Sequence, residues 1–163
     1  LSEFDHETVF ETILLGCADP TREVRAASAR GLTRLSFDRA DSWARIIEHN
    51  EEGRLRHAAR AAVEGGFVER SFDRLIHRDP KYSYEAFVLL SLVLKANETE
   101  QIFEALKNHQ EKKVRSALIH IIKVNKDQES LPILYNLLED KRLTVEQREQ
   151  IDKTIEEMSL VAA

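Results

Sequence analysis

The amino-acid sequence predicts an all-α fold, a stack of short antiparallel helix pairs, on three observations. Strong helix formers (Leu, Ala, Glu, Arg, Lys) dominate, while five Gly and three Pro in 163 residues leave little turn chemistry for a β fold. One pattern recurs four times: Asp19-Pro20-Thr21-Arg22-Glu23-Val24-Arg25-Ala26-Ala27, Glu51-Glu52-Gly53-Arg54-Leu55-Arg56-His57-Ala58-Ala59, Asp79-Pro80-Lys81-Tyr82-Ser83-Tyr84-Glu85-Ala86-Phe87 and His109-Gln110-Glu111-Lys112-Lys113-Val114-Arg115-Ser116-Ala117. Its anchors Val24, Leu55, Tyr84 and Val114 stand 31, 29 and 30 positions apart, and a fifth, weaker unit begins near Val145, 31 further on. After each anchor, apolar or small residues return at helical spacing.

The elements follow in order. Segment 4–17 is amphipathic and precedes a second helix opened by Asp19 and Pro20. Asp accepts a bond from the unpaired N–H groups of a first turn, and Pro at the first helical position gives up no hydrogen bond. Val24, Ala27, Gly31, Leu32 and Leu35 form the apolar stripe of that helix. Segment 40–50 offers Trp43, Ile46 and Ile47, and the helix after it is striped by Leu55, Ala58, Ala62 and Val63. Gly65-Gly66 reads as a chain reversal before segment 67–78. Asp79-Pro80 opens a helix striped by Tyr84, Phe87, Ser91 and Leu92. Segment 98–108 leads to a helix carrying Val114, Ala117, Ile121 and Ile122. Segment 128–139, with Leu131, Ile133, Leu134, Leu137 and Leu138, leads to the last helix near Val145. Short turns force neighbouring helices to be antiparallel, so the expectation is ten helices in five hairpins, one domain over residues 1–163 with no linker.

Asp19-Pro20 followed by Val24-Arg25 and Ala27 looks like the second-helix signature of HEAT repeats. The period of roughly 30 residues is shorter than the ~40–47 of long HEAT units and resembles the compact HEAT-like repeats of the phycobilin-lyase group. The resemblance covers nearly the whole chain; it is strongest in the first unit, good in the second and fourth, and degraded in the third and fifth. It implies a right-handed α-solenoid, an α-α superhelix whose second helices line the concave side.

Composition narrows the function classes. The single cysteine, Cys17, rules out an internal disulfide and a multi-cysteine zinc site, and its apolar surroundings Ile13-Leu14-Leu15-Gly16-Cys17-Ala18 mark it as a small buried hydrophobe. That fits a reducing compartment, and the expected location is cytoplasmic. The longest apolar run, Ala86 to Leu90 resuming as Leu92-Val93-Leu94, falls short of the ~20 residues a bilayer demands, so no membrane insertion is expected. Leu1 at the start and Met158 as the one methionine predict a piece of a longer protein. Net charge is −5, against broad nucleic-acid affinity, yet Pro20 to Arg60 holds nine Arg and six acids, a local +3.

Three sets of residues are candidates for function. Arg25, Arg56 and Arg115 share one repeat position, broken by Glu85. They form either an anion-binding row or, in the reading preferred here, ties from each helix to a neighbouring turn through an acid such as Asp19 or Asp79. The exposed side of the second helices carries Arg22, Arg30 and Arg34, then Arg54, His57, Arg60 and Glu64, then Leu89, Leu90 and Val93, then Ile119, His120 and Lys123. From these, Arg30, Arg34, His57, Arg60, Leu89, Leu90, Val93, His120 and Lys123 are the expected partner-binding residues. The third second-helix is apolar all round from Ala86 to Leu94. It is either a middle helix covered by neighbours or an aliphatic surface that favours a partner or self-association. His77-Arg78-Asp79 resembles the kinase catalytic-loop triplet, but no glycine-rich phosphate loop or Asp-Phe-Gly exists and Tyr84 stands where the metal-binding Asn belongs, so Asp79 is read as a helix cap.

Six histidines offer no His-x-x-x-His pair, and no nucleophile elbow or triad is present. No metal, cofactor or catalysis is therefore expected. The expected function is a non-catalytic protein–protein interaction scaffold presenting a concave helical surface. The alternative is phosphate-backbone binding of nucleic acid through the Arg-rich first half; an enzyme analogous to tetrapyrrole-attaching or base-excising HEAT-like proteins would need a pocket the residues do not point to.

Overall fold

A computed structural model of the chain describes residues 19–34, 43–44, 46–47 and 54–162. Among these every regular element is helical. Helix α1 spans Arg22–Arg34, α2 Arg54–Glu64, α3 Phe67–Arg74, α4 Pro80–Lys95, α5 Glu100–Asn108, α6 Lys112–Asn125, α7 Leu131–Leu138 and α8 Val145–Ala162, with a 3-10 turn at Gln128–Ser130 before α7. Residues 43–44 and 46–47 are also helical, with Trp43 and Ile46 buried. The all-α expectation therefore holds for the described residues. Segment 4–17 with Cys17, most of segment 40–50, Leu35, and the side chains of Arg25, Leu32 and Arg34 lie outside them. No helix among the described residues is long and apolar enough to cross a membrane.

Local chemistry explains where these helices begin and end. Asp19 Oδ1 accepts from the Thr21 N–H at 2.7 Å ahead of α1, and Asp79 Oδ1 accepts from the Lys81 N–H at 3.0 Å at the start of α4. Asp79 is an N-cap of the expected kind, whereas Asp19 lies three residues ahead of Arg22, where α1 begins. Gly66 turns the chain between α2 and α3 at φ 77°, where a side chain would be strained, and a Cβ on Gly65 would crowd the Phe67 ring at 2.8 Å. Helices α4 and α6 close with the same motif. Asn97 (φ 57°) and Lys126 (φ 51°) take left-handed backbone; Glu98 N donates to Val93 O and Asn97 N to Leu94 O, as Asp127 N does to Ile122 O and Lys126 N to Lys123 O. This Schellman closure normally uses Gly, and here it is carried by Asn and Lys.

The chain divides into two compact units, Leu1–Glu98 and Thr99–Ala163. In the first, α3 packs against both α2 and α4, and α2 and α4 also touch. In the second, α5 packs on α6, α6 on α8, and α7 on α8. Side chains join α6 to α8 at three levels: Lys112 Nζ to Glu146 Oε2 at 3.3 Å, Gln150 Nε2 to the Ser116 carbonyl at 2.9 Å, and Lys123 Nζ to Glu157 Oε2 at 2.8 Å. Each pair is 34 positions apart, so these two helices run parallel and in register from Lys112 to Lys123, roughly 16 Å of helix.

The core corrects the predicted register in three units. Leu55 and Val114 are buried as anchors should be, at 8% and 0% exposure, but Val24 (41%), Tyr84 (60%) and Val145 (72%) face outward. In α8 the buried set is Gln147, Ile151, Thr154, Ile155 and Met158. Gln147, Ile151, Thr154 and Ile155 match Val114, Leu118, Ile121 and Ile122 at an offset of 33, two residues later than the apolar pattern predicts. The reason is local. Thr144 and Gln147 form a reciprocal capping box, with Gln147 N to Thr144 Oγ1 at 3.2 Å and Thr144 N to Gln147 Oε1 at 3.3 Å, which turns a polar side chain inward at the anchor position. Helix α4 resolves the other open question: Ala86 and Val88 through Leu94 are all buried, so its apolar circumference is covered.

Candidate functional site

The expected partner-binding residues fall into three groups. Leu89, Leu90 and Val93 are buried and do not form an accessible surface, which is a correction to their expected place on the exposed side. Of the two readings of this helix, the burial supports the one in which neighbours cover it, and leaves no aliphatic patch there for self-association. A helix apolar on every face is most stable when packed on every face. Arg30 is exposed on α1, and the Arg34 side chain lies outside the described residues. His57 and Arg60 are exposed on α2, in the first unit; His120 is exposed and Lys123 half-exposed on α6, in the second.

Two of these cations have partners within the fold. Arg60 Nε reaches Glu98 Oε1 at 2.9 Å, and Arg56 Nε reaches the same oxygen at 3.4 Å. Glu98 is placed there by the Schellman closure of α4, so two guanidiniums on successive turns of α2 share one carboxylate and the cluster keeps a net positive charge. Lys123 pairs with Glu157, and its bond is the chief reason the Glu157 carboxyl lies below its usual range. Lys112 does the same for Glu146 on the first turn of α8. His57 and His120 enter no hydrogen bond or ion pair among the described residues, which leaves their rings available to a partner.

The arginine row is structural in the second unit, by a route the sequence did not indicate. Arg115 Nη1 donates to the carbonyls of His109 and Gln110 in the turn before its own helix. Arg148, one residue after Gln147 as Arg115 is one after Val114, donates from Nη1 to Leu138 O at 2.5 Å and from Nη2 to Asp140 O at 3.4 Å. Both arginines fasten the loop between the two helices of a hairpin through backbone carbonyls. Asp79, one of the carboxylates expected as a partner, caps α4 instead. Arg148 was missed because its anchor is polar; the spacing Thr144-x-x-Gln147 was the available signal.

The histidines also have backbone work. His77 Nδ1 accepts from Asp79 N at 3.0 Å and His109 Nδ1 from Glu111 N at 3.1 Å, each just ahead of a second helix. The kinase-like triplet is therefore a turn, with Asp79 capping α4. His77 also meets Tyr82 edge-on at 4.9 Å. Among the described residues no group of three or more His, Cys, Asp or Glu is arranged to hold a metal ion. Compared with known proteins, the chain matches no protein family, no curated protein and no solved structure.

Proposed function

We propose that the chain is a non-catalytic protein–protein interaction scaffold: one HEAT-like repeat domain, a right-handed α-solenoid of about five hairpins, whose second helices present the binding face. The observation that carries this reading is the α6–α8 ladder, in which two second helices lie side by side and parallel, tied at a constant separation of 34 residues. Parallel second helices are what stacked hairpins produce, and such stacks bind through extended surfaces rather than reactive groups. The packing of α2 on α4 in the first unit supports the same arrangement. Within each unit the accessible side chains on these helices are polar and cationic: Arg56, His57 and Arg60 on α2, and His120 with the half-exposed Lys123 on α6.

The test is capture from a lysate of the source, with the wild-type chain beside the His57→Glu, His120→Glu double variant. These positions are chosen because reversal at Arg60 or Lys123 would also break an internal pair. The expected result is a protein retained by wild type and lost by the variant, at equal helicity. Retention of every captured protein by the variant would move the working face elsewhere, and capture abolished by nuclease would replace the reading with nucleic-acid binding.

A further inference from the structure

In the second unit a cavity of about 220 Å³ opens between the α5–α6 turn and the α7–α8 turn. Buried Leu106 and Leu137 contribute apolar wall, and the charged lining is Lys107, Arg115, Arg142 and Asp140. Three cations thus face one carboxylate. That carboxylate is already engaged: Arg142 donates from Nε to Asp140 Oδ1 at 3.0 Å and from Nη2 to Oδ2 at 2.8 Å, and its backbone N–H reaches Oδ1 at 2.9 Å. Arg115 uses Nη1 on backbone carbonyls. Lys107 is exposed and enters no hydrogen bond or ion pair among the described residues. An adjoining cavity of about 320 Å³ shares Lys107, Leu137, Asp140 and Arg142 and has Glu139 in its lining.

We propose that the smaller cavity is a binding site for one oxyanion group, a carboxylate or phosphate on a short stem. After Asp140 and Arg142 cancel, the charges of Lys107 and Arg115 remain, and the Lys107 ammonium donates to no acceptor among the described residues. Charge-assisted bonds from guanidinium and ammonium to an oxyanion are the strong ones, and a guanidinium can offer two in parallel. Asp140 acts as a positioning residue, holding Arg142 in the turn so that the cavity stays open. The volume is below the roughly 300–1,000 Å³ of pockets for whole small molecules. It suits a side-chain-sized group whose stem lies on Leu106 and Leu137. This site is on the turn edge of the unit and does not rest on the scaffold reading of the helix faces.

The experiment is an NMR titration of the full ¹⁵N-labelled chain at neutral pH in phosphate-free buffer, with blocked glutamate (N-acetyl-glutamate amide) in one arm and inorganic phosphate in the other. Saturable amide shifts centred on residues 106–110 and 137–143 are expected in at least one arm. Lys107→Ala should weaken that binding by about tenfold, as loss of one charge-assisted bond implies. Lys141→Ala removes an exposed cation of the same turn that does not line the cavity, and should leave binding unchanged. Tighter glutamate identifies an acidic side chain as the occupant and tighter phosphate a phosphate group; either outcome keeps the oxyanion site. The proposal is overturned by shifts spread alike over all surface lysines, by equal losses in the two variants, or by no saturable shift in either arm.

Discussion

Asp140 carries the largest electrostatic consequence resolved among the described residues. The side-chain bond from Arg142, followed by the Arg142 backbone N–H, pulls its carboxyl from an ordinary 3.8 down to about 2; Arg115 adds a weaker attraction and burial opposes. A carboxyl whose pKa drops on folding stabilises the fold above its unfolded value, and that contribution disappears as pH falls through the folded one. The window here runs from about 3.8 down to about 2. Asp140→Asn should therefore be less stable than wild type near neutral pH, and the two should converge on acidification across that window, read as denaturant midpoints at successive pH. The gap is expected to be modest and to shrink with salt, because the pair is exposed. A difference independent of pH would mean that the carboxylate acts by shape and not by charge. Nothing local in Asp140-Lys141-Arg142 distinguished this pair from the chain's other acid–base neighbours before the turn geometry was known.

Single elements show how far an apolar pattern reaches. The existence of α8 was legible, since a helix lies where the spacing places the fifth unit. Its inward face was not, because a capping box, and not an aliphatic anchor, opens the buried stripe. The two registers make opposite demands on substitution. Val145→Ala should change stability by no more than about 0.5 kcal/mol, as for most surface positions. Ile151→Ala, at a fully buried site, should cost about 2–5 kcal/mol through the cavity it leaves. Unfolding midpoints for both variants check this, and a larger loss at Val145 would restore the earlier register. Helix α4 illustrates the converse case. Its continuous apolar run allowed either full burial or an exposed patch, since periodicity carries no information when every face is apolar.

At the scale of the whole molecule, the scaffold reading requires hairpins to pile along an axis, so that each touches only its neighbours. A compact globule of this length has a radius of gyration of about 15 Å. Small-angle scattering of the monomer should give a clearly larger value if the hairpins stack as proposed. A value at the globular figure would be incompatible with a solenoid, while leaving the helices and their caps untouched. The charge pattern bears on the same scale: the excess of Arg between Pro20 and Arg60 places cations such as Arg56 and Arg60 in the first unit, where Glu98 offsets one of them.

The one-dimensional chain determined what short-range physics can determine. Asp79 beside Pro80 starts a helix, Gly65-Gly66 reverses the chain, and small and apolar residues at 3.6-residue spacing exclude strands. Only tertiary structure decided which residues those helices hide and which polar groups they join. Glu98 could have met any of several arginines, Arg115 could have met a carboxylate instead of carbonyls, and Tyr84 could have filled a core position. Burial and pairing depend on what arrives from some thirty residues away, and helical periodicity specifies the direction of a side chain without specifying what stands opposite it.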